Sequence, residues 1–194
     1  METRLLPICL LFLALLPAFS RSALAGSAPE APDPASRELQ IPSPPLSPAA
    51  MYFRLGVSLS DEKRHREAIQ AFGEAVRLKP GFVDAHVRLG IEYYRLGRYR
   101  EAADSYRQAL AIAPELVSLY NKLGTAYIML GDYPSATDIF IQALRRDPDN
   151  PAMHFNLGIV HFLRGDKAAA EREYGILKNL DREYAERLFD LIYP

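Results

Sequence analysis

The sequence predicts an all-α protein, a solenoid of four helix-turn-helix repeats closed by a C-terminal capping helix. Three observations carry that expectation. A leucine-glycine pair recurs with its glycine at Gly56, Gly90, Gly124 and Gly158, every thirty-four residues without slippage. A fixed set of alanine, aromatic and proline positions keeps the same register around each glycine, and a period of this length signals stacked, self-similar units. Each copy also carries two stretches of helical apolar period separated by a short polar break.

The elements follow in order. Met1 to Ala25 has Arg4 ahead of a leucine-rich run from Leu5 to Phe19 and then Ala23-Leu24-Ala25, the three-part form of a secretory signal peptide. The run falls short of the roughly 20 apolar residues that span a bilayer. Export to a periplasm is therefore expected, with cleavage after Ala25; an uncleaved signal would instead leave an inner-membrane anchor. The only cysteine, Cys9, lies inside this run, which excludes an intramolecular disulfide and a cysteine-built zinc site. Residues 26–48 hold seven prolines between Pro29 and Pro48 and no helical or strand period, the composition of an extended tether.

Four units are then expected at 49–82, 83–116, 117–150 and 151–180, and a capping helix at 181–194. Four residues before each glycine stands Tyr52, His86, Tyr120 or His154, and directly before it Leu55, Leu89, Leu123 or Leu157. Twelve residues after it come Ala68, Ala102, Ala136 and Ala170, and four further on Phe72, Tyr106, Phe140 and Tyr174. Pro80, Pro114 and Pro148 close the first three units, because proline lacks the N–H and clashes with the preceding turn. Glycine inside a helix costs about 0.5–1 kcal/mol relative to alanine. Its recurrence is expected to offset that cost by close helix approach, a vacant position on the first helix facing a methyl on the second. The final segment places Tyr184, Ala185, Leu188, Phe189, Leu191 and Ile192 on one face, as a helix covering the last unit would.

These residues resemble the tetratricopeptide repeat family, whose pattern of aromatic, leucine-glycine, tyrosine, alanine, aromatic, alanine and proline recurs here from Ala49 to about Tyr184. Leu59 and His161 depart from it where Tyr93 and Tyr127 keep the tyrosine, and Arg182 stands where a fourth proline would fall. The resemblance implies a right-handed α-solenoid whose first helices line a concave, partner-binding side. Carried onto this sequence, that side holds Phe53, Val57, Val87, Ile91, Tyr94, Asn121, Thr125, Ile128, Phe155, Ile159 and Phe162, with Ser60, Asp61, Arg95, Met129 and Leu163 beside them. Chaperone-docking members use lysine and asparagine where Phe53 and Val57 stand, so that ligand is not expected. The mostly apolar stripe suits a hydrophobic or amphipathic helix or peptide of a protein partner. Two other arrangements stay open: the tether or the terminal helix fills the stripe, or the residues are core between repeats.

No catalytic constellation is expected. Of the four histidines, His86 and His154 share the aromatic slot, His161 lies on the same helix as His154, and His65 falls in a polar inter-helix loop. No carboxylate sits at metal-ligand spacing between His154 and His161, and no nucleophile-base pairing or phosphate loop can be picked out. Neither a cofactor nor a small-molecule substrate is expected. The 23 basic and 24 acidic residues give a net charge of −1, against a nucleic-acid binder, which needs clustered positive charge. The expected function is a protein-binding scaffold outside the cytoplasm, in envelope assembly or secretion. The alternative is an accessory subunit of an enzyme or export complex, acting through homo-oligomer stacking or the C-terminal helix.

Overall fold

The computed structural model describes residues 46–194; the expected signal segment and nearly all of the expected tether lie outside them. The described residues form α1 (Pro48–Asp61), α2 (His65–Leu78), α3 (Val83–Arg95), α4 (Tyr99–Ile112), α5 (Val117–Leu130), α6 (Tyr133–Leu144), α7 (Pro151–Leu163), α8 (Lys167–Leu180) and α9 (Arg182–Ile192). Each helix packs on the next along the chain, and α9 packs on both α7 and α8. This is an all-α repeat solenoid: four antiparallel hairpins and a terminal helix. Among the described residues no helix is long and apolar enough to cross a membrane.

Helix starts are written in short polar side chains. Ser47, Asp132, Asn150, Asp166 and Asp181 each accept a hydrogen bond from the backbone N–H three residues on. Such caps contribute about 1 kcal/mol apiece. α2 and α4 begin instead at Arg64 and Arg98, whose guanidinium groups bridge forward to Glu67 and Glu101 in the first turn. Within three hairpins the turn passes through a left-handed glycine: Gly97, Gly131 and Gly165 have φ of 73°, 72° and 77°. The first hairpin reaches the same conformation at Lys63, with φ of 60°, at the steric cost a Cβ brings.

The repeated glycines are packing positions, but their partner differs from the expected one. A Cβ at Gly56 would lie 2.6 Å from Phe72 Cε1, and one at Gly90 would lie 2.5 Å from Tyr106 Cε1. Gly124 meets the Phe140 ring in the same way. The vacancy on the first helix therefore holds the flat face of an aromatic ring from the second, not an alanine methyl. Those rings are buried, and Ala68, Ala102 and Ala136 are fully buried one turn earlier on the same helices. The apolar area removed from water by such a ring outweighs the glycine's propensity loss. In the fourth hairpin the arrangement changes. Gly158 is met by Leu188 of α9, with Cδ2 at 2.5 Å, while Tyr174 is half-buried and pairs with Phe189.

The aromatic-or-histidine slot also acquires a reason. His86 Nε2 donates to the carbonyl of Pro80 (2.8 Å), Tyr120 Oη to that of Pro114 (3.0 Å), and His154 Nε2 to that of Pro148 (2.8 Å). Tyrosine and histidine share a ring-borne donor at similar reach, which phenylalanine lacks. The slot thus clasps α3, α5 and α7 to the carbonyl left over at the end of the preceding unit.

Candidate functional site

The first helices supply the candidate surface. Ile91 and Tyr94 project from α3 and Asn121 and Thr125 from α5, and these four converge on an open cleft of about 380 Å³. Arg95 and Lys122 stand on its rim and Tyr106 of α4 forms part of its wall. The cleft thus presents apolar and aromatic surface flanked by two cations, an amide and a hydroxyl. Burial pushes the Tyr94 and Tyr106 phenols up from their ordinary values, so both remain neutral.

Hydrogen bonds hold the cleft's walls. Thr125 Oγ1 donates to the Asn121 carbonyl at 2.8 Å, and Asn156 Nδ2 of α7 donates to Asn121 Oδ1 at 2.7 Å. The second bond leaves the Asn121 amide N–H groups as donors for a ligand. On the α1 side, Glu92 is fully buried and ties the first two units together. It accepts from Ser60 Oγ (2.7 Å), from Arg95 Nη1 (2.8 Å) and from the His65 imidazole, whose Nδ1 lies 2.6 Å away. A carboxylate removed from water is tolerated only when so fully partnered. His65 is therefore not a loop residue: it is the first residue of α2, held against the neighbouring unit.

The remaining stripe residues lie elsewhere. Phe53 pairs with Phe72 and with Phe82 just ahead of α3, ring centres 5.7 and 4.8 Å apart, and Val57 packs on the same cluster. Ile128 packs against the core between α5, α6 and α7. Phe155 and Phe162 pack on the cluster formed by α8 and α9, with Tyr184 of α9 5.1 Å from the Phe155 ring and the Arg187 guanidinium 4.7 Å from it. Val87 and Ile159 are half-buried. In the fourth unit Phe155 and Phe162 are thus engaged by the terminal helix, whereas Ile91, Tyr94, Asn121 and Thr125 of the second and third face the cleft. The sequence pattern does not place Tyr106 or Lys122 on this surface: the first stands at the second-helix aromatic position, and the second has no counterpart in the repeat pattern.

Among the described residues no three histidine, cysteine or acidic side chains gather as a metal site would require. His154 is spoken for structurally, its Nδ1 2.7 Å from Glu173 Oε2 and its Nε2 on Pro148.

Comparison with known proteins bears on what such a cleft belongs to. The sequence matches the tetratricopeptide repeat family over residues 49–82 and again over 121–175, and a TPR repeat description over 90–131. These stretches are tetratricopeptide repeats. No curated protein sequence matches it. Among solved structures, it is similar to MamA 41-end from Desulfovibrio magneticus RS-1, with 21% identity over 70% of this chain and 76% of that one, TM-score 0.63. It is similar too to TTC0263, a thermophilic TPR protein of Thermus thermophilus, with 23% identity over 75% and 83%, TM-score 0.56. A third likeness, at 18% identity over 61% and 94% and TM-score 0.55, is to the first TPR of Spaghetti (RPAP3) bound to the HSP90 peptide SRMEEVD. At these identities the structures share the fold of this tetratricopeptide repeat chain.

Proposed function

We propose that the protein is a non-enzymatic adaptor that holds a segment of a protein partner in the cleft between α3 and α5. The observation that carries this reading is the convergence of Ile91, Tyr94, Asn121 and Thr125 with Arg95 and Lys122 on one open surface. A bound segment would set an apolar side chain against Ile91 and Tyr106. Its backbone carbonyl would accept from the Asn121 amide, and its acidic groups would meet Arg95 and Lys122. The walls are already fixed by the Asn121–Asn156 and Ser60–Glu92–Arg95 bonds, so little ordering accompanies capture. The peptide held by the structurally similar first TPR of Spaghetti (RPAP3) supports the same mode of use.

The test is affinity capture with the purified chain, followed by mass spectrometry of what is retained. Tyr94→Ala and Lys122→Glu should each lose the partner while circular dichroism stays helical. Equal capture by both variants overturns the assignment. We further propose that Met1–Ala25 directs export, on the charge, apolar-run and small-residue pattern of that segment. Amino-terminal sequencing of the mature chain should begin at Gly26, and an intact Met1 in a cytoplasmic fraction would refute export.

A further inference from the structure

Equivalent positions of the four first helices differ sharply in cover. In α5, Leu119, Tyr120 and Leu123 are 1%, 3% and 1% exposed; in α7, Met153, His154 and Leu157 are 3%, 8% and 5% exposed. Their counterparts thirty-four residues apart on α1, Met51, Tyr52 and Leu55, are 59%, 39% and 49% exposed. The buried sets pack against alanines of the preceding second helix: Leu123 shares a core cluster with Ala102 and Ala103 of α4, and Met153 and Leu157 with Ala136 and Ala143 of α6. α1 therefore displays, in open form, a face that the same fold closes with an alanine-striped helix at every internal junction.

The hydroxyl on that face points to the same occupant. His86, Tyr120 and His154 each donate to the carbonyl of a proline six residues earlier, at the end of the preceding unit. Six residues before Tyr52 stands Leu46, where the later units have their proline. A second copy cannot supply the complement by stacking end to end, because α2, α4, α6 and α8 are already covered by α3, α5, α7 and α9.

We infer that the α1 face is a second docking surface, separate from the α3–α5 cleft, and that it takes the proline-terminated, alanine-striped second helix of a helical hairpin in another protein. The partner's alanines seat Met51 and Leu55, and the carbonyl of its terminating proline accepts from Tyr52. The contact continues the stacking that α3, α5 and α7 already make.

The probe is a helix-stapled peptide of residues 99–114, whose sequence is that of α4 with its closing proline, titrated into the full chain and followed by fluorescence anisotropy. Saturable binding is expected, at least about tenfold weaker in Leu55→Glu and in Met51→Lys, both exposed positions. Tyr52→Phe should bind about two- to tenfold more weakly, the loss of one hydrogen bond. Tyr94→Ala, in the cleft, should bind as the parent does. Absence of binding, or binding indifferent to Leu55→Glu and Met51→Lys, overturns the inference. So does a concentration-dependent dimer abolished by Leu55→Glu, which would give the face to a second copy. Hydroxyl-radical footprinting closes the last alternative: in the free monomeric chain Met51 should oxidise as readily as exposed Met129 and far faster than buried Met153. Protection of Met51 would assign the face to the chain's own amino-terminal residues and refute a partner.

Discussion

The third and fourth hairpins solve the same packing problem with different parts. In the third, Gly124 of α5 is closed by the Phe140 ring of α6, a side chain from within the same unit. In the fourth, Gly158 is closed by Leu188, a branched aliphatic from α9, and the ring at the repeat position, Tyr174, is half-buried beside Phe189. A third contrast lies on the first helices, where Tyr127 becomes His161. The vacancy left by glycine is thus a socket that accepts different apolar plugs. Which plug it holds determines whether a hairpin is complete in itself or depends on its neighbour.

Five substitutions break or sharpen that contrast. Phe140→Ala should cost about 3–5 kcal/mol in denaturant unfolding, as removal of a fully buried ring does. Tyr174→Ala, the same position one unit later, should cost about 1 kcal/mol, an exposed-edge aromatic pair. Equal losses would mean that the two rings play one role. Leu188→Ala should cost about 2–4 kcal/mol through the cavity it opens under Gly158. Hydrogen exchange should then rise first in α9 and α7; a uniform rise across α1 to α8 would contradict the local plug. Gly124→Ala presses a methyl into a rigid buried ring and should destabilise by about 1–3 kcal/mol. Gly158→Ala meets the end of a flexible leucine and gains helix propensity, so its net change should stay within about 1 kcal/mol. A larger loss at Gly158 than at Gly124 would reverse the interpretation.

The smallest effect concerns His161. Its Nδ1 is buried without a hydrogen-bond partner, and burial lowers its pKa below the ordinary histidine value, with Glu173 and Asp166 acting weakly in the other direction. The folded state therefore binds fewer protons than the unfolded one. Its contribution is complete above about pH 6.5 and is lost as pH falls through the depressed folded value. His161→Tyr restores the residue of Tyr127 and should raise stability by less than about 1 kcal/mol at neutral pH. Thermal melts between pH 7 and 5 should show a shallower fall for the variant; identical slopes would exclude His161 as a source of acid sensitivity.

Much of this fold could be read directly from spacing, because four glycines in one register admit few other architectures. The plug could not. Ala136 and Phe140 lie one turn apart on the same face of α6, and periodicity cannot say which of two neighbours on a face stands opposite a given position. Glu92 was equally hidden: its partners Ser60 and His65 are distant in sequence and meet it only once two units are stacked. The clasp at His86, Tyr120 and His154 left a readable trace, since none of the three is phenylalanine. In the candidate site, Ile91, Tyr94, Asn121 and Thr125 follow from projecting the repeat onto a common side. Tyr106 and Lys122 join them only once α4 is packed between α3 and α5, which no linear pattern encodes. Phe155 and Phe162 share that projection, yet α9 engages them, because a short connection brings it back over α7.

That short connection is a single residue. Asp181 ends α8 and caps α9, so α9 begins at Arg182, three positions ahead of where the spacing of Val83, Val117 and Pro151 would start it. A copied hairpin inserted between existing units would inherit the phase of its neighbours and lengthen the array by one step. α9 itself lies three positions out of that phase. Tandem duplication therefore finds a matching register among the hairpins from α3 to α7, and α9 marks where that register is broken.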